Sequence, residues 1–286
     1  MNCTERRTAL RRILAGSACV YPASVFDPVS ARIAEDLGYE AGMLAGSVAS
    51  FTVLGAPDRV LLTLTELAQQ ARRICRSSQL PLIVDADHGY GNALNVRRTV
   101  EELEAAGVAG LTIEDTALPV AHGNPGKHLV SVREALDKMR AAVDARSDAA
   151  LCVFGRTTAF GTVALDDALA RVDAYARTGV DGLFLVGISD WTQLEAVRAR
   201  TTLPLLLGGT GPQMKDRVRL AGLGVAIALQ GHAPFRAAAQ AVEDTLRRMR
   251  SEAGDEVPAP DGAVLLDRVL RRGRYDAWMR DYLGAS

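Results

Sequence analysis

A repeated phrase constrains this chain more than any single motif. A helix-like stretch stops at a glycine, and a short apolar run follows within a few residues. Residues 31–37 stop at Gly38 before the run 41–44, and residues 99–106 stop at Gly107 before 111–113. The phrase returns as 168–178, Gly179 and 182–186, and again as 218–221, Gly222 and 225–229. Glycine just past a helix end supplies a left-handed cap. An unbroken apolar run suits a parallel strand covered on both faces. Residues 20–25, 82–84, 151–154 and 203–207 supply further strands, with Pro81 and Pro204 where a missing amide donor matters least. Helices are expected over 65–76, 92–106, 132–145, 165–178 and 191–198. About eight strand–helix units close an α/β fold of the (β/α)8 TIM type, whereas an open doubly wound sheet has fewer strands and a glycine-rich first turn.

The length of 286 residues suits one such barrel. Residues 1–252 are read as the barrel domain with an N-terminal helix, and 253–286 as a linker and a C-terminal helical tail. A long helix over 234–251 follows the last strand, and two prolines and two glycines make 254–262 a linker. Beyond it, Leu265, Leu266, Val269, Leu270, Tyr275, Trp278, Met279 and Tyr282 recur at near-helical spacing, so 265–283 reads as an amphipathic helical tail. Such a tail needs a surface, and two are open to it: its own barrel or a neighbouring subunit.

The charge balance is 33 Lys+Arg against 34 Asp+Glu, without the basic surplus of a nucleic-acid binder. No apolar run approaches the roughly 20 residues of a membrane span. The basic N-terminus leads into no apolar stretch of a signal peptide. Cys3, Cys19, Cys75 and Cys152 are scattered and form no disulfide framework. A soluble, cytoplasmic chain is expected.

In a barrel of this type the chemistry collects where strands run into the following loops. Asp85, Asp87 and His88 follow the third strand, and Glu114 and Asp115 follow the fourth. Converging carboxylates repel unless a cation sits among them, and they have no basic neighbour along the chain. Oxygen ligands without paired His or Cys suit Mg2+ or Mn2+ rather than zinc. One aspartate alone could be a helix cap, as Asp87 or Asp115 could be; Asp85, Asp87 and Glu114 together favour a metal. Arg156 follows the fifth strand, where its fork of donors suits either a structural ion pair or a substrate carboxylate. His232 follows the last strand, and Gly46-Ser47 after the second offers amides and a hydroxyl to an anion. Gly89-Tyr90-Gly91 lacks the third glycine of a dinucleotide turn, and Gly208-Gly209-Thr210-Gly211 lacks the ending of a phosphate loop. Neither a Gly-x-Ser-x-Gly elbow nor a His-Glu-x-x-His motif occurs.

Ala23-Ser24-Val25-Phe26-Asp27-Pro28 with Ser30-Ala31-Arg32, the segment Gly46-Ser47-Val48-Ala49-Ser50, the run from Asp85 to Gly91, Thr112-Ile113-Glu114-Asp115 and Gly231-His232 form a further pattern. The chain resembles the isocitrate lyase/phosphoenolpyruvate mutase superfamily over about residues 21–233, and most resembles its oxaloacetate decarboxylase branch. The resemblance implies Asp85 as the direct Mg2+ ligand, with Asp87 and Glu114 holding metal-bound waters. Gly46 and Ser47 would bind the carboxylate of an α-keto dicarboxylate, Arg156 its oxygens, and His232 would lie beside the departing carboxylate. It also implies exchange of the last barrel helix between subunits of a homodimer or homotetramer. The superfamily's C–C lyases carry a loop cysteine as their acid–base group, and residues 119–128 hold none. The expected reaction is therefore Mg2+-dependent decarboxylation of a small β-keto diacid, oxaloacetate to pyruvate and CO2. A C–C lyase or hydrolase on a related acid, or a non-catalytic keto-acid-binding barrel, stands as the alternative. Thr158, where the branch carries Asn, and the Gly208 to Gly211 stretch, without its usual Tyr, enlarge or neutralise part of the pocket.

Overall fold

A computed structural model of the chain describes residues 2–124, 126–250 and 262–284. Eight strands form a parallel sheet in chain order. They are β1 (Ala23–Ser24), β2 (Gly42–Leu44), β3 (Leu82–Asp85), β4 (Gly110–Glu114), β5 (Cys152–Thr157), β6 (Gly182–Leu185), β7 (Leu205–Leu207) and β8 (Val225–Ala228). Val20, just before β1, pairs in parallel with Ile227; it donates to Ala226 O at 2.8 Å and accepts from Ala228 N at 3.0 Å. That bridge closes the ring, so the expected strand 20–25 divides its pairing between β8 and β2. The fold is a (β/α)8 barrel.

The helices in chain order are α1 (Cys3–Ala15), α2 (Pro28–Asp36), α3 (Gly46–Leu54), α4 (Leu64–Cys75), α5 (Ala93–Ala106) and α6 (Val132–Ala145). They continue with α7 (Leu165–Tyr175), α8 (Trp191–Arg198), α9 (Arg217–Gly222), α10 (Ala233–Arg250), α11 (Gly262–Val269) and α12 (Arg272–Leu283). Gly107 ends α5 in the left-handed region at φ 91°, as its position predicts. The last phrase differs: α9 runs through Gly222, and Gly224 takes the left-handed turn at φ 78°.

Met43, Ile83, Phe154, Phe184, Leu206 and Ile227 fill the barrel interior, and Leu10 and Leu14 of α1 pack into the same cluster. Arg7 holds α1 in place, donating to Val108 O at 3.0 Å, Glu104 O at 2.7 Å and Asp148 Oδ2 at 2.7 Å. With one end of the ring filled by α1, the polar chemistry is left to the other. No described helix is long and apolar enough to cross a membrane.

The amphipathic helical tail expected over 265–283 is two helices, α11 and α12. It breaks at Arg271, whose φ of 57° is left-handed, and α12 then takes a new direction. Leu265, Leu266 and Leu270 bury themselves beside α10, while α12 buries no residue fully. The expected linker falls on residues 254–261, outside the described residues, and on Gly262, which opens α11. Helix α10 is also unusual: α7 buries Ala168, Leu169, Val172 and Tyr175 in the wall, whereas α10 buries nothing and exposes Val242, Leu246 and Met249.

Candidate active site

The carboxyl ends of β3, β4 and β5 meet at one rim. Asp85 ends β3 and pairs in register with Thr112, whose hydroxyl donates to Asp85 Oδ1 at 2.9 Å. Glu114 ends β4 and pairs in register with Arg156 of β5. Register partners on neighbouring strands project to the same face, so the guanidinium enters between the acids. Its Nη1 donates to Asp85 Oδ1, and its Nη2 lies 3.2 Å from Glu114 Oε2. The cation missing along the chain is thus supplied by strand pairing, and Arg156 occupies part of the space expected for a metal.

Asp87 stands two residues past Asp85 at φ 47°, in a turn that also holds Tyr90 at φ 61°. Such left-handed non-glycine residues cost on the order of 1–3 kcal/mol and persist where the surroundings hold them. The Asp87 carboxylate lies against the start of α3: a Cβ on Gly46 would come within 2.9 Å of Asp87 Oδ1 and displace it. Asp87 does not cap α5, since Asn92 does.

Asp58, in the connection from α3 to α4, joins this cluster and was not among the sequence candidates. Burial first, then the charge of Asp85, raises its carboxyl above the ordinary range. Burial followed by Asp85, Asp58 and Glu114 raises Asp87 well above it. Glu114 is raised mainly by burial, with Arg156 opposing. Burial disfavours the Arg156 charge, but Asp85, Glu114 and Asp87 together hold its pKa above the usual arginine value. The Arg156 guanidinium faces four carboxylates, Arg59 acts on Asp58 as well, and no His or Cys stands among them. That donor set suits a hard divalent cation. Among the described residues no three such side chains stand close enough to hold an ion as they are. Arg156 bridges two of them instead.

Asp115 is not part of the rim. It is fully buried, accepting from Thr157 Oγ1 at 2.8 Å, Arg171 Nη1 at 3.0 Å and Tyr175 Oη at 2.6 Å, and it ties β5 to α7. Ser131 caps α6. Gly46 and Ser47 form the first turn of α3, whose N-cap Ala45 supplies no side-chain bond, leaving first-turn amides open to an anion. His232 follows β8, and its Nδ1 lies 3.1 Å from Ser24 Oγ on β1. Burial and Arg236 lower its pKa against an opposing pull from Asp85, which favours the neutral ring.

A cavity of about 840 Å3 opens above Asp58, Asp87, Glu114 and Arg156. Thr158 shares its wall with Thr116, their hydroxyls 3.4 Å apart. Its roof is Tyr275, Trp278, Met279, Tyr282 and Leu283 of α12. Arg59 pairs with Asp276, and Gly123 N donates to Leu283 O at 2.8 Å, fixing that roof at two points. The structure therefore brings Asp85, Asp87, Glu114 and Arg156 together. It places Gly46, Ser47 and His232 outside the cavity lining, at the α3 and β8 ends of the same rim. Periodicity gave α12 an apolar face but not its destination, and Asp58 follows Ala56-Pro57, where no strand end marks it.

The family model described as phosphoenolpyruvate phosphomutase matches residues 10–250. The chain belongs to the phosphoenolpyruvate phosphomutase family. One family relative, an oxaloacetate decarboxylase of Bradyrhizobium sp. (strain ORS 278), is 53% identical over 280 residues, covering 98% of this chain and 97% of the relative. A solved oxaloacetate acetylhydrolase with the inhibitor 3,3-difluorooxalacetate aligns with TM-score 0.78 at 30% identity, over 99% of this chain and 98% of that one. A phosphonopyruvate hydrolase solved with oxalate and Mg2+ aligns with TM-score 0.75 at 26% identity, over 99% and 100%. Family membership matches the resemblance carried by the strand-end motifs.

Proposed function

We propose that this chain decarboxylates oxaloacetate to pyruvate and CO2 with a bound divalent cation, Mg2+ or Mn2+. The observation that carries the reading is the set of four carboxylates, Asp85 and Glu114 of them buried, gathered around Arg156 at the barrel rim. Full-length relatives named oxaloacetate decarboxylase support the choice of substrate.

Asp85 would hold the cation directly, with Asp87 and Glu114 acting through water and Asp58 behind them. When bound, the cation supplies a Lewis acid that offsets negative charge developing on the substrate's oxygens. The first-turn amides of α3 and the Ser47 hydroxyl take the carboxylate next to the keto group. Arg156 exchanges part of its contact with Asp85 and Glu114 for the substrate's oxygens, keeping buried charge paired throughout. His232, neutral and oriented by Ser24, lies beside the departing carboxylate without holding it by an ion pair. Breaking the C3–C4 bond sends its electron pair toward the keto group, CO2 leaves, and solvent supplies the proton that C3 takes up.

The unseated apolar face of α10 supports a homodimer or homotetramer in which that helix exchanges between subunits. Four free cysteines fit the reducing cytoplasm.

The test is release of pyruvate and CO2 from oxaloacetate with and without Mg2+, corrected for the metal's own catalysis in solution. Oxalate and acetate as products would favour the second reading, a C–C hydrolase, which the alignment with oxaloacetate acetylhydrolase supports. Tight oxalate binding without turnover would mark a keto-acid-binding barrel.

A further inference from the structure

The cavity under α12 is far larger than a four-carbon diacid requires. At about 840 Å3 it stands near the top of the size range of pockets that enclose drug-sized ligands. Asp87, Glu114, Arg156, Thr116 and Thr158 form a polar floor at or just past the ends of β3, β4 and β5. The rest of the lining is largely apolar, with Val60, Leu61, Leu118, Pro119, Trp278 and Met279, and is joined by the charged Asp58, Arg59 and Lys127. A small dianion satisfies the polar floor and leaves that upper volume to water, which apolar walls bind poorly.

Helix α12 is anchored rather than frayed, through Arg59 to Asp276 and Gly123 to Leu283. Yet Tyr275, Trp278 and Met279 are only half-buried, because their apolar sides face the cavity and not a packed core. A fixed aromatic and thioether roof over an open polar floor is complementary to a ligand that is charged at one end and apolar at the other.

We infer that the site takes 2-oxo diacids carrying an apolar substituent of several carbons at C3, with the substituent seated beneath Trp278 and Met279. The inference rests on the decarboxylase reading and names the substrate class of that site. The chemistry is unchanged: the C3–C4 bond breaks, CO2 leaves, and C3, now bearing the substituent, gains one proton from solvent to give the substituted 2-oxo acid. Each buried methylene would raise kcat/KM by up to about fourfold.

The experiment compares oxaloacetate with its 3-methyl, 3-propyl and 3-benzyl derivatives on the full chain with Mg2+. CO2 is followed with correction for spontaneous loss, and Trp278→Ala and Met279→Ala are measured alongside. The wild type is expected to keep kcat/KM for the propyl compound at or above that for the methyl compound. In both variants the propyl-to-oxaloacetate ratio of kcat/KM should fall by about tenfold or more. A tail merely loosened by the substitution lowers both substrates together, so an unchanged ratio would overturn the inference. So would a fall of more than about tenfold from methyl to propyl in the wild type, with oxaloacetate still turned over. Loss of CO2 from none of the four compounds would overturn the decarboxylase reading itself, and this inference with it.

Discussion

Arg156 donates to Asp85 from Nη1 while its Nη2 lies 3.2 Å from Glu114 Oε2, so one guanidinium spans two acids that close different strands. The span depends on a planar fork, because Asp85 and Glu114 approach from β3 and β4 on the same side of β5. Arg156→Lys keeps the charge and loses the fork. We expect kcat/KM for oxaloacetate to fall about 100-fold, on the order of 3 kcal/mol, most of it in kcat. Steady-state kinetics of CO2 release checks this, and a change in KM alone would remove Arg156 from the reacting end.

Asp85 carries the direct metal contact in the proposed arrangement. Asp85→Ala should abolish metal-dependent turnover, and chelation of the wild type should do the same reversibly, with added Mg2+ restoring it. Near-wild-type CO2 release from the alanine variant would sink the mechanism.

Asp58 is the acid that strand ends do not reveal, and its raised carboxyl marks it as part of the same charged cluster. Asp58→Asn keeps its size and removes one charge from behind the metal-holding set. Mg2+ affinity measured by titration calorimetry should weaken by about 10- to 100-fold. An unchanged affinity would leave Asp58 as a structural acid.

At the far end of the barrel, hydrogen bonds from Arg7 first, then from Ala150 N and Thr4, pull the Asp148 carboxyl from 3.8 down to about 2. A lowered folded-state pKa contributes stability above the unfolded value, and the contribution disappears as pH falls from about 4 to about 2. The carboxylate keeps some contact with solvent, which screens the pair. Asp148→Asn should therefore cost about 1–2 kcal/mol at pH 7 and little at pH 2. Urea unfolding at both pH values checks the sign: an equal loss at each would show that the charge is not the cause.

The sequence by itself determined the barrel and the acids on its rim. Helix period, terminal glycines and unbroken apolar runs are local signals, and Asp85, Asp87 and Glu114 are visible because they stand at or just past strand ends. It also carried the family resemblance through the same strand-end segments. The tertiary structure alone decided that Arg156 pairs with those acids, that Asp58 joins them, that Asp115 faces Arg171 and Tyr175 instead, and that α12 roofs the cavity. Each of these depends on strand register or on chain turning back across a long separation. The break at Arg271 redirects an apolar face whose period continues unchanged through the sequence. Periodicity records which side of an element is apolar, and only packing fixes what that side meets.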